Sequence, residues 1–139
     1  MELSGIRTGD TLPERTFAPD EVQLFLYNAV IWNPHRIHYD LPYTTGEEGH
    51  PAIVIDGPLQ GDFLTQLVLE WLGDRGTLTE FAYRNLRASY VGDSLTATGR
   101  VTDIDTATGE VALEVALLNS DGEVVTPGSA RVSFKTPLP

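Results

Sequence analysis

Cysteine is absent from the 139-residue chain, which excludes disulfides, thiolate nucleophiles and cysteine-ligated zinc or iron–sulfur sites. Lysine is nearly absent, with Lys135 alone beside eight arginines. Acidic residues outnumber basic ones 20 to 9 and leave a net charge of −11. That balance excludes the broad basic surface through which nucleic acid or an anionic membrane is bound. No run of 18 apolar residues occurs, so no membrane-spanning helix is expected. The segment Met1–Asp10 lacks the basic and apolar regions of a secretory signal, and a cytoplasmic protein is the expectation. The 41% of hydrophobic residues suffices for a core, and the length suits one domain over residues 1–139.

A helix is predicted from Pro19 to about Ile31. Pro19 suits a first turn, Asp20 and Glu21 complement the helix dipole, and Val22, Phe25, Leu26, Ala29 and Val30 recur at helical spacing. Asn33-Pro34 ends it, because the residue before proline avoids the helical region. Residues 33–57 read as a long loop broken by Pro34, Pro42, Gly46, Gly49 and Pro51. A second helix begins near Pro58, with Asp56 or Gly57 as N-cap. Its wide apolar stripe of Leu59, Phe63, Leu64, Leu67, Val68, Trp71 and Leu72 marks it as buried, and Gly73 ends it.

After Gly76 the apolar period changes to two. Strands are predicted over Thr79–Tyr90, Leu95–Ile104, Val111–Leu117 and Val124–Phe134, the last with a break expected at Pro127-Gly128. Asp121-Gly122 reads as a hairpin turn. One buried helix followed by an antiparallel meander predicts an α+β fold with the sheet wrapped around the helix.

The densest polar cluster is Asn33-Pro34-His35-Arg36-Ile37-His38-Tyr39-Asp40, which holds two of the three histidines. Histidine moves protons near neutral pH. Amide groups at the start of the buried helix, near Gly57 and Leu59, favour a developing negative charge; Pro58 has no N–H to offer. Asp40 reads as a turn cap, His50 as an exposed loop residue, and Trp32, Tyr39 and Tyr43 as packing residues.

Together with Tyr43, Gly57-Pro58-Leu59-Gln60 and Phe81-Ala82-Tyr83-Arg84-Asn85-Leu86-Arg87, this cluster resembles the MaoC-like acyl dehydratases, in the branch of the mesaconyl-CoA and itaconyl-CoA hydratases and the type-2 hydroxyacyl-thioester dehydratases. The resemblance implies a single hot-dog domain without metal or cofactor, forming a homodimer or a hot-dog hetero-oligomer. It implies water addition to, or removal from, an enoyl/3-hydroxyacyl thioester of coenzyme A or acyl carrier protein. His38 would be the catalytic acid/base, Asn33 would orient water and the Gly57 amide would face the enolate. His35, Arg36, Asp56 and Arg84 would meet the substrate.

Two positions depart from the resembled pattern. The better-known hydratases carry an aspartate where Asn33 stands, five residues before His38, and a histidine where Asp56 precedes Gly57. Two alternative readings stay open. One is a hot-dog thioesterase using Asp56; the other is a degenerate thioester-binding or structural subunit.

Overall fold

The computed structural model describes residues 5–135; the ends of the expected domain, 1–4 and 136–139, lie outside the described residues. The elements are β1 (Arg15–Phe17), α1 (Glu21–Ile31), a 3-10 turn (Arg36–His38), α2 (Leu41–Gly46), α3 (Gly57–Leu72), β2 (Gly76–Tyr83), β3 (Leu95–Asp105), β4 (Glu110–Leu118) and β5 (Val124–Phe134).

Helix α3 is the centre of the fold. Leu64 and Val68 are fully buried, Phe63, Leu67 and Leu72 nearly so, and the helix touches β2, β3, β4 and β5. The strands form one antiparallel sheet in the order β1-β3-β4-β5-β2. In β4 the residues alternate between buried and less buried, as a sheet with one covered face requires. Among the described residues no helix is long and apolar enough to cross a membrane.

Five expectations about the fold are corrected. The strands are not a simple meander: β2 pairs with β5, leaving β2 and the short β1, which the sequence reading missed, at the two edges. Strand β2 ends at Tyr83, where Arg84 N–H and Leu86 N–H turn to the Pro127 and Val125 carbonyls. Strand β5 runs without a break through Pro127-Gly128, because Gly128 lets the Ala82 carbonyl approach at a distance a Cβ would forbid. The long loop carries the 3-10 turn and α2, and Asp40 caps α2 by accepting from Tyr43 N–H at 3.1 Å.

The remaining correction concerns α1. The buried residues of this helix are Leu24 and Asn28. The periodic stripe faces solvent instead, with Val22, Phe25, Leu26 and Val30 all more than half exposed. Trp32, expected to pack, is 89% exposed and caps α1 in the left-handed region at φ 57°. A non-glycine residue held there stores roughly 1–3 kcal/mol of strain. Trp32→Gly should therefore leave stability unchanged or raise it by up to about 1 kcal/mol, as read from a urea midpoint. A loss of more than that would show that the indole packs in solution.

Candidate active site

Local hydrogen bonding folds the 33–40 segment into a fixed shape. Asn33 N–H closes α1 on the Asn28 carbonyl at 2.9 Å, and Asn33 Oδ1 accepts from His35 N–H at 3.1 Å. Pro34 allows no helical continuation, and the chain enters the 3-10 turn that carries His38. Residues 53–55 are tied on both sides. Val54 N–H reaches the Ile37 carbonyl at 3.0 Å, while Ile55 N–H and the Ile53 carbonyl bond to Ser89 and Val91 at 2.8 and 2.9 Å. This stitching sets His38 beside Asp56, eighteen positions apart in the chain.

His38 is buried, at 7% exposure. Its Nδ1 lies 2.7 Å from the Val54 carbonyl oxygen. A carbonyl only accepts, so Nδ1 carries a proton and the neutral ring keeps its lone pair on Nε2. Nε2 lies 3.5 Å from Asp56 Oδ2. That is too long for a committed hydrogen bond, so Nε2 can still serve a third group.

Asp56 is fully buried. It occupies the N-cap position of α3, yet its side chain makes no capping bond there. Its oxygens accept instead from Asn28 Nδ2 at 2.9 Å and Asn33 Nδ2 at 3.3 Å. Burial pushes its proton affinity above the usual carboxylate range, against the opposing pull of Asn28, His38 and Asn33. A carboxyl that holds its proton more tightly when folded adds stability that is fully present below its unfolded pKa. That stability is lost as pH rises through the folded one. The difference in unfolding free energy between Asp56→Asn and the parent should therefore move in favour of the variant as pH is raised from about 4 to 7. A constant difference over that range would refute the raised proton affinity.

The start of α3 is the third component. Without a side-chain cap, the Gly57 and Leu59 N–H groups are available to an anionic atom. Gln60 N–H is already used by the Asp56 carbonyl at 3.2 Å. The Asn85 side chain closes over Gly57, held by Thr126 Oγ1 at 3.2 Å and Gln60 Oε1 at 3.4 Å. A Cβ at residue 57 would overlap Asn85 Oδ1. Gly57→Ala should therefore displace Asn85 and destabilise the fold by about 1–3 kcal/mol, read from a urea midpoint.

The sequence-predicted site residues divide. His38, Asn33, Asp56 and Gly57 are brought together. His35 is exposed and only meets the His38 ring edge-on at 5.6 Å between centroids. Arg36 is committed to Asp40, at 2.8 and 2.9 Å, and lies over the Tyr43 ring. Arg84 is exposed, on the segment after β2. Arg87, the last residue of the resembled 81–87 stretch, is paired with Glu123. His50, expected to be exposed, is half-buried with Nδ1 3.1 Å from Tyr90 Oη. Among the described residues no three His, Asp or Glu side chains converge as metal ligands.

Sequence reasoning missed Asn28. Its amide donates to the Leu24 carbonyl and to Asp56 at 2.7 and 2.9 Å, while its own Oδ1 is buried without a partner. The signal was a single amide four residues after Leu24, on the face of α1 opposite the apolar stripe. Beside Asn28 and Asn33 lies a cavity of about 220 Å³ framed by Phe25, Ala29, Trp32, Pro34 and Tyr39.

The family described as hydroxyacyl-thioester dehydratase type 2 matches residues 5–91, more than half of the chain. The chain belongs to this family. It is 49% identical over 53 residues to a mesaconyl-C(4)-CoA hydratase of Chloroflexus aurantiacus, covering 38% of this chain and 19% of that protein. It is 30% identical over 84 residues to the mitochondrial hydroxyacyl-thioester dehydratase type 2 of Schizosaccharomyces pombe, covering 57% of this chain and 27% of the relative. The matches thus span about a fifth to a quarter of the length of these curated relatives. Among solved structures, an (R)-hydratase from A. caviae superposes with a TM-score of 0.86 at 16% identity, over 94% of this chain and 98% of that one. A MaoC-like dehydratase reaches 0.88 at 22% identity, over 96% of this chain and 42% of the other. Likeness at these identities shows the fold, which is the hot-dog fold that the sequence resemblance implied.

Proposed function

We propose that this member of the type 2 hydroxyacyl-thioester dehydratase family is a lyase. It adds water to, or removes it from, an enoyl/3-hydroxyacyl thioester of coenzyme A or acyl carrier protein. The observation that carries this reading is the buried His38, with its tautomer set by the Val54 carbonyl and Nε2 left free beside the uncapped start of α3. The family relatives, named as a hydratase and a dehydratase, support the reaction class.

The steps balance with His38 alone as acid and base. The water oxygen bonds to the β-carbon while a water proton moves to Nε2. The π electrons move onto the thioester oxygen, where the Gly57 amide stabilises the enolate. Nε2–H then protonates the α-carbon, and the histidine returns to its starting state. Asn33 orients the water. The apolar cavity beside Asn28 and Asn33 takes the acyl group, with Trp32 and Tyr39 at its rim.

The thioesterase reading needs the Asp56 carboxylate against the thioester carbonyl, and the full burial of Asp56 speaks against it. The exposed apolar face of α1 and the open edge of β2 support association with a second hot-dog protomer, identical or not. The purified chain is to be incubated with a panel of enoyl and 3-hydroxyacyl thioesters and the products weighed. A gain or loss of one water is expected. Release of the free thiol carrier, or no reaction on any member of the panel, would overturn the lyase reading.

A further inference from the structure

A carboxylate without exposure to water is costly, and nothing in the helix start calls for it, since Asp56 does not cap α3. What the buried charge does have is a fixed place. Asn28 Nδ2 holds Oδ1 at 2.9 Å and Asn33 Nδ2 holds Oδ2 at 3.3 Å. Oδ2 also lies 3.5 Å from His38 Nε2, the one ring atom left free for chemistry. The Asn28 amide cannot be turned round. Both partners of its nitrogen, the Leu24 carbonyl and the carboxylate, accept.

We propose that Asp56 is the counter-charge of His38 in proton transfer, and that Asn28 and Asn33 are the positioning residues that fix it. The chain thus carries at position 56 the carboxylate, and at position 33 an amide that serves it. The proposal rests on the lyase reading and deepens it. Being buried, Asp56 acts through His38 rather than on substrate. When Nε2 takes the water proton, the new imidazolium faces a carboxylate already in position, and the proton is then released to the α-carbon. No other proton or electron is gained or lost.

The two departures from the resembled pattern thereby become one arrangement across a single hydrogen bond. Exchanging the two groups conserves that bond. In Asn33→Asp/Asp56→Asn the new amide at 56 donates to the new carboxylate at 33, and its oxygen still accepts from Asn28. The carboxylate at 33 keeps an oxygen for His35 N–H, the present partner of Asn33 Oδ1.

The test is a pH profile of kcat/KM for the parent, Asp56→Asn and the double exchange, with melting curves for each. The charged or titratable groups around Asp56 are His38 from the 3-10 turn and Tyr27 from α1, whose phenol is held protonated chiefly by burial and then by Asp62 of α3. The active form is the pair without its extra proton, so the parent should lose activity on an acidic limb above the ordinary carboxylate range, roughly pH 4. Asp56→Asn should lower kcat/KM about 100-fold and displace that limb to lower pH. The double exchange should recover at least about tenfold of the loss and bring the limb back.

A purely structural role would change melting temperature without moving the limb. The proposal is overturned by Asp56→Asn activity within about threefold of the parent, or by a folded double exchange no better than the single variant. A parent profile flat down to about pH 4 would overturn it without any variant. Failure of the parent to hydrate any thioester is a different result, and it removes the lyase reading itself.

Discussion

His38→Ala should lower kcat/KM for hydration by about 10³-fold, or roughly 4 kcal/mol of transition-state stabilisation. In the proposed mechanism the imidazole both takes the water proton and returns it to the α-carbon, and no other side chain at the cluster can do both. Asn33 and Asn28 are amides, and Asp56 is without exposure. The fold should survive the change, because His38 sits at the end of a 3-10 turn whose backbone is tied to residues 53–55 independently of the ring. His38→Gln separates shape from chemistry. A glutamine amide can still donate to the Val54 carbonyl but cannot carry a proton through a reaction cycle, so it should be as inactive as alanine. A folded variant of either kind with parental kcat/KM would remove His38 from the mechanism.

Phe63→Ala should destabilise the fold by about 3–5 kcal/mol, a large share of the roughly 5–15 kcal/mol that holds a domain together. Phe63 is 1% exposed in the middle of α3 and stacks on Phe17 of β1, with ring centroids 4.1 Å apart. Truncation opens a cavity under the sheet and also releases the edge strand β1 from the helix. The urea midpoint should fall with little change in slope, which marks a loss of stability rather than a different unfolded state. A drop of less than about 1 kcal/mol would mean that the core around α3 collapses to fill the space.

Elements with strong local signals were legible. Helix α3 declares itself by an apolar stripe too wide for a surface helix and by Gly73 at its end, where φ is 58°. Strands β3 and β4 declare themselves by alternation, and their observed spans, Leu95–Asp105 and Glu110–Leu118, differ from the expected ones by a residue or so. Asp40 reads as a cap and is one, because Asp at a turn acts on backbone N–H groups within a few residues. The orientation of α1 was not legible. Its apolar residues keep helical spacing, yet the face turned inward is the one bearing Leu24 and Asn28. Periodicity states that a helix is two-sided; it does not say which side the rest of the chain covers. The place of β2 beside β5 was hidden for a similar reason, since a strand's own alternation does not say which neighbour it pairs with.

The sequence by itself determined the buried helix, the antiparallel strands, the resemblance to acyl dehydratases and the choice of His38 and Gly57 as candidates, because each rests on local spacing or a contiguous motif. Only the tertiary structure decided that Asn33 and Asp56, read separately as departures, are hydrogen-bonded neighbours at 3.3 Å, that Asn28 completes their cluster, and that Arg36 is already paired with Asp40. The reason is physical. The charge and hydrogen-bonding state of a buried group depend on what lies within a few ångströms in space, and for Asp56 those groups come from α1, the turn after it and the 3-10 turn, all distant in the chain.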